Sequence, residues 1–291
     1  MRRIAQFCAF VCVHVFVLFF TLALFAIVAA PQPAAARDTG AQGCKANRNA
    51  LGPSRILSFD TRSAGTLGHL QYPATLPLNA QEIVLTFDDG PNPATTPAIL
   101  DALDRHCVKA IFFVVGWAAE KYPELVRDIA KRGHTIASHS WSHRNLRHLS
   151  LTAAKIDIER GFATLNSILN ETAQTASFPA SMTGTAQVAP FFRFPGLNAS
   201  SSLIAYLQDR GRTAFSCDIG TDDWRNISAA EVHRRALRNI ISANRGIVIM
   251  HDTRFQTVQM LPRLLDSLQE RGYRVVHVVP EELPLKKSFR H

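Results

Sequence analysis

From Glu82 to Val279 the chain repeats one pattern, in which a short apolar run alternates with a longer amphipathic stretch. Runs this short and this uniformly apolar suit strands covered on both faces, while the stretches between them carry apolar residues at helical spacing. Parallel strands joined by helical crossovers satisfy both patterns at once. The strand-like runs are Ile83–Phe87, Ala110–Val115, Thr135–Ser138, Phe191–Phe194, Thr213–Cys217, Ile247–Met250 and Arg274–Val279. Helices are expected over Thr96–His106, Pro123–Arg132, Thr152–Asn170, Ser200–Arg210, Ser228–Asn244 and Thr257–Arg271. Thr152 and Ser228 suit helix N-caps, and Gly133, Gly211, Gly246 and Gly272 sit where a left-handed terminating residue is wanted. The expected fold is therefore α/β, a parallel barrel or a doubly wound sheet with about seven strands. In either, chemistry gathers at the C-terminal ends of the strands.

The residues before this region read differently. Arg2 and Arg3 precede an apolar stretch from Ile4 to Ala30, and Ala34-Ala35-Ala36 follows. That is the layout of a secretory signal, although the apolar stretch is long enough to stay as a membrane anchor. Residues 1–36 are read as signal peptide or anchor, 37–80 as a linker or N-terminal wrap, and 81–291 as the catalytic domain. Residues 171–190 read as a surface loop. An exported protein, periplasmic or extracellular, follows, with contact to a membrane only through that possible anchor. Without Arg2 and Arg3 the formal charge falls from +9 to +7. A basic body suits an anionic polymer or an ordinary soluble surface, and no basic tract with interleaved aromatics points to nucleic acid. Cys44, Cys107 and Cys217 allow at most one internal disulfide, and with no C-x-x-C pair a cysteine zinc site is not expected. Cys107 and Cys217 lie among apolar neighbours and are expected to pack as small hydrophobes.

Polar residues cluster just where successive strands end. Thr86-Phe87-Asp88-Asp89-Gly90-Pro91 puts two carboxylates after an apolar strand, which needs a compensating cation or proton unless it is simply a turn. His139-Ser140-Trp141-Ser142-His143 spaces two histidines four apart, on one face of a helical turn, so that both can reach one metal. Phe191-Phe192-Arg193-Phe194-Pro195-Gly196 sets a guanidinium among aromatics, where a carboxylate partner such as Asp88 or Asp89 is required. Cys217-Asp218-Ile219-Gly220-Thr221-Asp222-Asp223-Trp224 ends the next strand with three carboxylates and an indole, and Ile247–Asp252 carries His251 out of a fully apolar strand. Each cluster alone has a bland structural reading. Their recurrence at five strand ends argues for one site.

In this order the five motifs resemble those of the NodB-homology polysaccharide deacetylases, carbohydrate esterase family 4, over about residues 82–280. The resemblance implies a distorted (β/α) barrel with fewer than eight repeats and a hydrolase that removes acetyl groups from an acetylated polysaccharide. It further implies that Asp89, His139 and His143 hold zinc or a similar divalent ion. Asp88 would act as base on the water that attacks the acetyl carbonyl, and Arg193 would hold Asp88. Gly196 would offer a backbone N–H to the oxyanion, and His251 would protonate the leaving amine. Ile249 and Trp224 would line the pocket for the acetyl methyl. Two positions depart from the family pattern. A Tyr is usual at Gly196, and an Asp is usual at Gly220, so Asp218, Asp222 or Asp223 must orient His251; Asp223 keeps its place before Trp224. The expected substrate is an N-acetylated envelope or extracellular glycan, peptidoglycan or chitin-like. An O-acetyl esterase is the alternative that depends less on His251, and a non-catalytic glycan-binding protein on the same scaffold is a third reading.

Overall fold

A computed structural model describes residues 51–52, 55–62, 65–175 and 187–281. The expected leader over 1–36, its cleavage site and Cys44 lie outside the described residues. Among the described residues no helix is long and apolar enough to cross a membrane.

Among the described residues eleven strands appear in chain order: β1 (Ile56–Phe59), β2 (Thr66–Leu67), β3 (Glu82–Asp88), β4 (Ile111–Val114), β5 (Thr135–Ser138), β6 (Phe191–Phe192), β7 (Thr213–Phe215), β8 (Ile219–Gly220), β9 (Gly246–His251), β10 (Arg274–Val275) and β11 (His277–Pro280). The helices are α1 (Thr96–Arg105), α2 (Gly116–Lys121), α3 (Pro123–Lys131), α4 (Leu151–Thr175), α5 (Ser201–Gln208), α6 (Ala229–Ala243) and α7 (Phe255–Glu270). The main sheet runs β2-β7-β6-β5-β4-β3-β9-β8, with β10 also beside β3, and every pairing in it is parallel. It curls into a half-barrel with helices outside, a distorted (β/α) barrel as expected.

Alternation along the strands sorts their side chains into two apolar layers. Ile83, Leu85 and Phe87 of β3, with Val248 and Met250 of β9, face outward onto Ile99 and Leu103 of α1 and Leu261 and Leu265 of α7. Val84, Ile111, Phe113, Ala137, Phe191, Phe215 and Ile247 face inward and fill the barrel. Thr86, Asp88, Ile249 and His251 share the inward parity, so the barrel interior turns polar only at its C-terminal end.

Several local expectations are corrected. The run Arg274–Val279 is two strands, because β10 joins the main sheet while β11 pairs β1 in a separate two-stranded parallel sheet. Ile56–Phe59 and Thr66–Leu67, within the stretch read as linker, form β1 and β2, so ordered structure begins well before residue 81. Helix α4 already includes Thr152, so its cap is Ser150, whose Oγ accepts from the Ala153 amide. It also runs on through residues 171–175, which were read as loop. Ser228 does cap α6, accepting from the Glu231 amide. That helix ends on left-handed Asn244 instead of Gly246, which opens β9. Gly133, Gly211 and Gly272 do adopt positive φ after their helices. Cys217 is a buried free thiol, but Cys107 is disulfide-bonded, a pairing that an oxidising compartment favours.

Candidate active site

The polar cap of the barrel is built from loops that leave β3, β5, β6, β7–β8 and β9. Because Asp88 and His251 are register partners at the ends of β3 and β9, their side chains project from neighbouring positions. Asp89 follows on the β3 loop at φ 77°, Ser140 and His143 take φ 65° and 55°, and Leu197 and Asp222 take 57° and 61°. Left-handed backbone is unfavourable for such residues, and most of its occurrences among the described residues gather at this one end.

Asp89 Oδ1 lies 2.9 Å from His143 Nε2 and 3.5 Å from His139 Nε2. One donor atom from each of these three residues falls within 4.8 Å of the others. The histidines are not on a helical turn, as their spacing suggested. Residues 139–143 form an irregular turn, held where Asp157 Oδ1 of α4 accepts the amides of Trp141 and Ser142 and where Ser140 Oγ accepts the amide of His143. His139 donates from Nδ1 to the carbonyl of Arg193 at 2.7 Å, which leaves Nε2 free to bind. An imidazole fixed in this way through its other nitrogen is the usual second layer of a metal ligand. Burial opposes ionisation of Asp89, yet hydrogen bonds from His139 and His143 hold its carboxyl far below the ordinary range. An ionised carboxylate flanked by two imidazole nitrogens fits a divalent cation such as zinc.

Arg193 is fully buried. Its Nη1 donates to Asp88 Oδ1 and to Thr86 Oγ1, each at 2.7 Å, and its Nη2 donates to the carbonyl of Ser216 at 2.8 Å. The guanidinium also stacks 4.1 Å from the Phe113 ring. The partner left open between two carboxylates is thus Asp88, not Asp89. A buried pair of this kind adds little stability over an apolar substitute. It does lock Asp88 with one oxygen occupied and Oδ2 facing the His139 Nε2 at 3.9 Å.

The carboxylate that orients His251 is Asp223. Its Oδ1 lies 2.8 Å from His251 Nδ1, while Oδ2 accepts the His251 amide at 2.7 Å and the Thr257 hydroxyl at 2.6 Å. Asp218 and Asp222 are occupied elsewhere. Asp218 accepts from the amides of His69 and Ile247 and from the Thr75 hydroxyl, and Asp222 pairs with Arg225 and Arg235. Burial works against charge on His251, but the Asp223 hydrogen bond, with the charges of Asp223, Asp88 and Asp89, prevails and raises it to about 9.

Of the remaining expected residues, Gly196 lies exposed in a 3-10 turn (Pro195–Leu197) at φ 59°, where no side chain is comfortable, and a Cβ there would come 2.8 Å from Asn198 Nδ2. Ile249 is partly exposed at the top of the inner apolar layer. Trp224 stands on the surface, 55% exposed, with the Arg225 guanidinium 4.7 Å from its ring.

Reading the sequence missed the residues that hold this set from behind. Thr257, Asp157 and the Ser216 carbonyl carry no pattern of their own, and Thr86 stood in the first motif without a role. Asp252 was visible beside His251 but had no role. It is fully buried, accepts from the Thr96 hydroxyl at 2.7 Å and backs directly onto Gly90, and burial raises its carboxyl to about 7.

Residues 76–215 match the family model described as polysaccharide deacetylase. The chain is 32% identical over 212 residues to a peptidoglycan-N-acetylglucosamine deacetylase of Listeria monocytogenes, covering 72% of this chain and 41% of that protein. A peptidoglycan-N-acetylglucosamine deacetylase of Bacillus cereus is 31% identical over 205 residues, 69% of this chain and 68% of that protein. In structure the chain is similar to a peptidoglycan deacetylase of Bdellovibrio bacteriovorus, with a TM-score of 0.66 at 30% identity, over 79% of this chain and 60% of that one. The chain therefore spans about two fifths of the length of the Listeria relative.

Proposed function

This chain belongs to the polysaccharide deacetylase family, and we propose that it hydrolyses N-acetyl groups of an exported or envelope polysaccharide, peptidoglycan or a chitin-like glycan. The observation that carries this reading is the joint placement of a three-ligand set with a separately held carboxylate and a separately held imidazole. A divalent cation on Asp89, His139 and His143 would polarise the acetyl carbonyl and make water a nucleophile near neutral pH.

The chain's own groups divide the proton work. Asp88 keeps Oδ1 on Arg193 and offers Oδ2 to take a proton from the attacking water. The Gly196 N–H is the backbone donor for the carbonyl oxygen as it gains charge. His251, held through Nδ1 by Asp223 and made more basic by that carboxylate, has Nε2 left to deliver a proton to the departing sugar amine. An amine leaves poorly unless protonated, so a histidine kept charged suits an N-acetyl substrate. The Asp223–His251 pair supplies the carboxylate that the departure at Gly220 had put in doubt, which supports the N-acetyl reading over the O-acetyl one. A non-catalytic role is disfavoured because every ligand, base and acid position is filled and mutually connected.

Acetate release from peptidoglycan and from N-acetylglucosamine oligomers tests the reading. With zinc, release is expected; a chelator should stop it, and Asp88→Asn should lower kcat by at least about 100-fold while zinc binding persists. Release that ignores the chelator, or survives Asp88→Asn, would overturn the reading.

A further inference from the structure

Strand β2 runs parallel to β7, so the loop that leaves it at Leu67 emerges at the same end as Asp88, His139 and His251. This loop precedes the stretch matched by the family model, which begins at residue 76. It is nonetheless tied into the site at two points. Gln71 Nε2 donates to the carbonyl of Leu197, the residue after Gly196, at 2.5 Å. The Leu70 amide donates to the carbonyl of Cys217 at 2.9 Å, one residue beyond the Ser216 carbonyl that holds Arg193.

The loop is also braced internally. The amides of Gln71 and Tyr72 donate to the Gly68 carbonyl, and the Gly68 amide donates to Ala74. The Asp218 carboxylate takes the His69 amide and the Thr75 hydroxyl together. Gly68 holds φ 109°, and a Cβ there would strike the backbone of Ser216 and Cys217 at 2.7 Å, so the turn lies flat against β7. On this fixed frame His69, Leu70 and Gln71 all face solvent, and Leu70 keeps 62% of its surface exposed. What sets Leu70 apart from other exposed apolar side chains is its frame, a fixed turn bonded to the residue after Gly196 at the end of the barrel where the polar cluster lies.

We propose that residues 69–71 form one wall of the substrate cleft and set preference for glycan chain length, with Leu70 lying against the apolar face of a sugar next to the one being deacetylated. His69 and Gln71 flank it with polar groups for that sugar's hydroxyls. The proposal rests on the glycan reading above, but it concerns binding and is read without turnover.

The test measures binding of the N-acetylglucosamine disaccharide and of longer oligomers to the full-length chain in the Asp88→Asn background, with and without Leu70→Ala. With Leu70 present, affinity should rise with oligomer length. Leu70→Ala should shrink that gain about five- to tenfold, as expected for losing part of a leucine's buried surface. Thermal unfolding of the two proteins should coincide. An unchanged length dependence, or an equal loss on short and long ligands, would overturn the wall. Failure of both proteins to bind any oligomer would overturn the wall and the glycan reading together. Oligomer binding in a wild-type protein that releases no acetate would overturn the hydrolase reading alone.

Discussion

Asp218 accepts three donors that join β9 to the loop after β2, whereas Asp223 gives both of its oxygens to His251 and Thr257. The two carboxylates stand on either side of β8 and look alike in the sequence. Their partners predict different failures. In Asp218→Asn the amide nitrogen faces a backbone donor in either orientation, the His69 amide in place of Oδ1 or the Ile247 amide in place of Oδ2. The expected loss is about 1–3 kcal/mol of stability in urea unfolding, with no change in the pH at which kcat declines. Asp223→Asn removes the charge that keeps His251 protonated. The alkaline decline of kcat should then move to lower pH, and kcat itself should drop about 100-fold, with divalent-ion affinity retained. If both variants shift the pH profile alike, the division of labour between these carboxylates is wrong.

Among the elements, α4 does most to shape the turn that carries His139 and His143. The side chain of Asp157 on that helix takes the Trp141 and Ser142 amides, while Arg160, one turn later, stacks 3.2 Å from the Trp141 ring, and Trp141 Nε1 donates to Glu120 of α2. These ties brace residues 139–143, in which Ser140 and His143 hold left-handed backbone. Asp157→Ala should therefore weaken zinc affinity about 10- to 100-fold, measured by competition with a chelating dye, while the far-UV circular dichroism stays that of the wild type. An unchanged affinity would mean that the turn holds itself. The same elements show what the sequence could reveal. Strands β3, β4, β5 and β9 were legible because both of their faces are buried and they read as uninterrupted apolar runs. The five polar clusters were legible because a parallel barrel must gather its strand ends. Short edge strands such as β2 and β8 are set by their neighbours, so two residues of ordinary composition gave no period to detect. Asp157 and Thr257 escaped for a related reason: a side chain that braces a site from a helix is distinguished only by what it touches.

At the scale of the whole molecule, the small β1–β11 sheet closes the barrel end opposite the site. Leu57, Phe59, Val276 and Val278 pack into the inner apolar layer, and the stacked rings of Phe59 and Phe191 lie 5.2 Å apart. Where this sheet meets the main one, the Thr135 hydroxyl donates to the Val278 carbonyl at 2.7 Å, so its oxygen is left to accept from His277 Nε2 at 3.0 Å. Burial holds His277 down at about 4, and it also holds His134, on the adjoining end of β5, well below the ordinary imidazole range. A histidine kept neutral in the folded state binds its proton more readily once unfolded. Its contribution is therefore intact above an unfolded pKa of about 6.5 and is lost as pH falls toward 4. One pH unit below that unfolded value, the loss from His277 is about 1.4 kcal/mol. Asp252 and His251 have raised values and push the other way, so the total slope is not diagnostic. The difference between two proteins is. His277→Gln preserves a donor for Thr135 and cannot titrate, so between about pH 7.5 and 5.5 the wild type should lose about 1.4 kcal/mol more than the variant in urea unfolding. Parallel curves for the two proteins would mean that His277 is already protonated in its folded place, and that the closing sheet tolerates a charge its packing argues against.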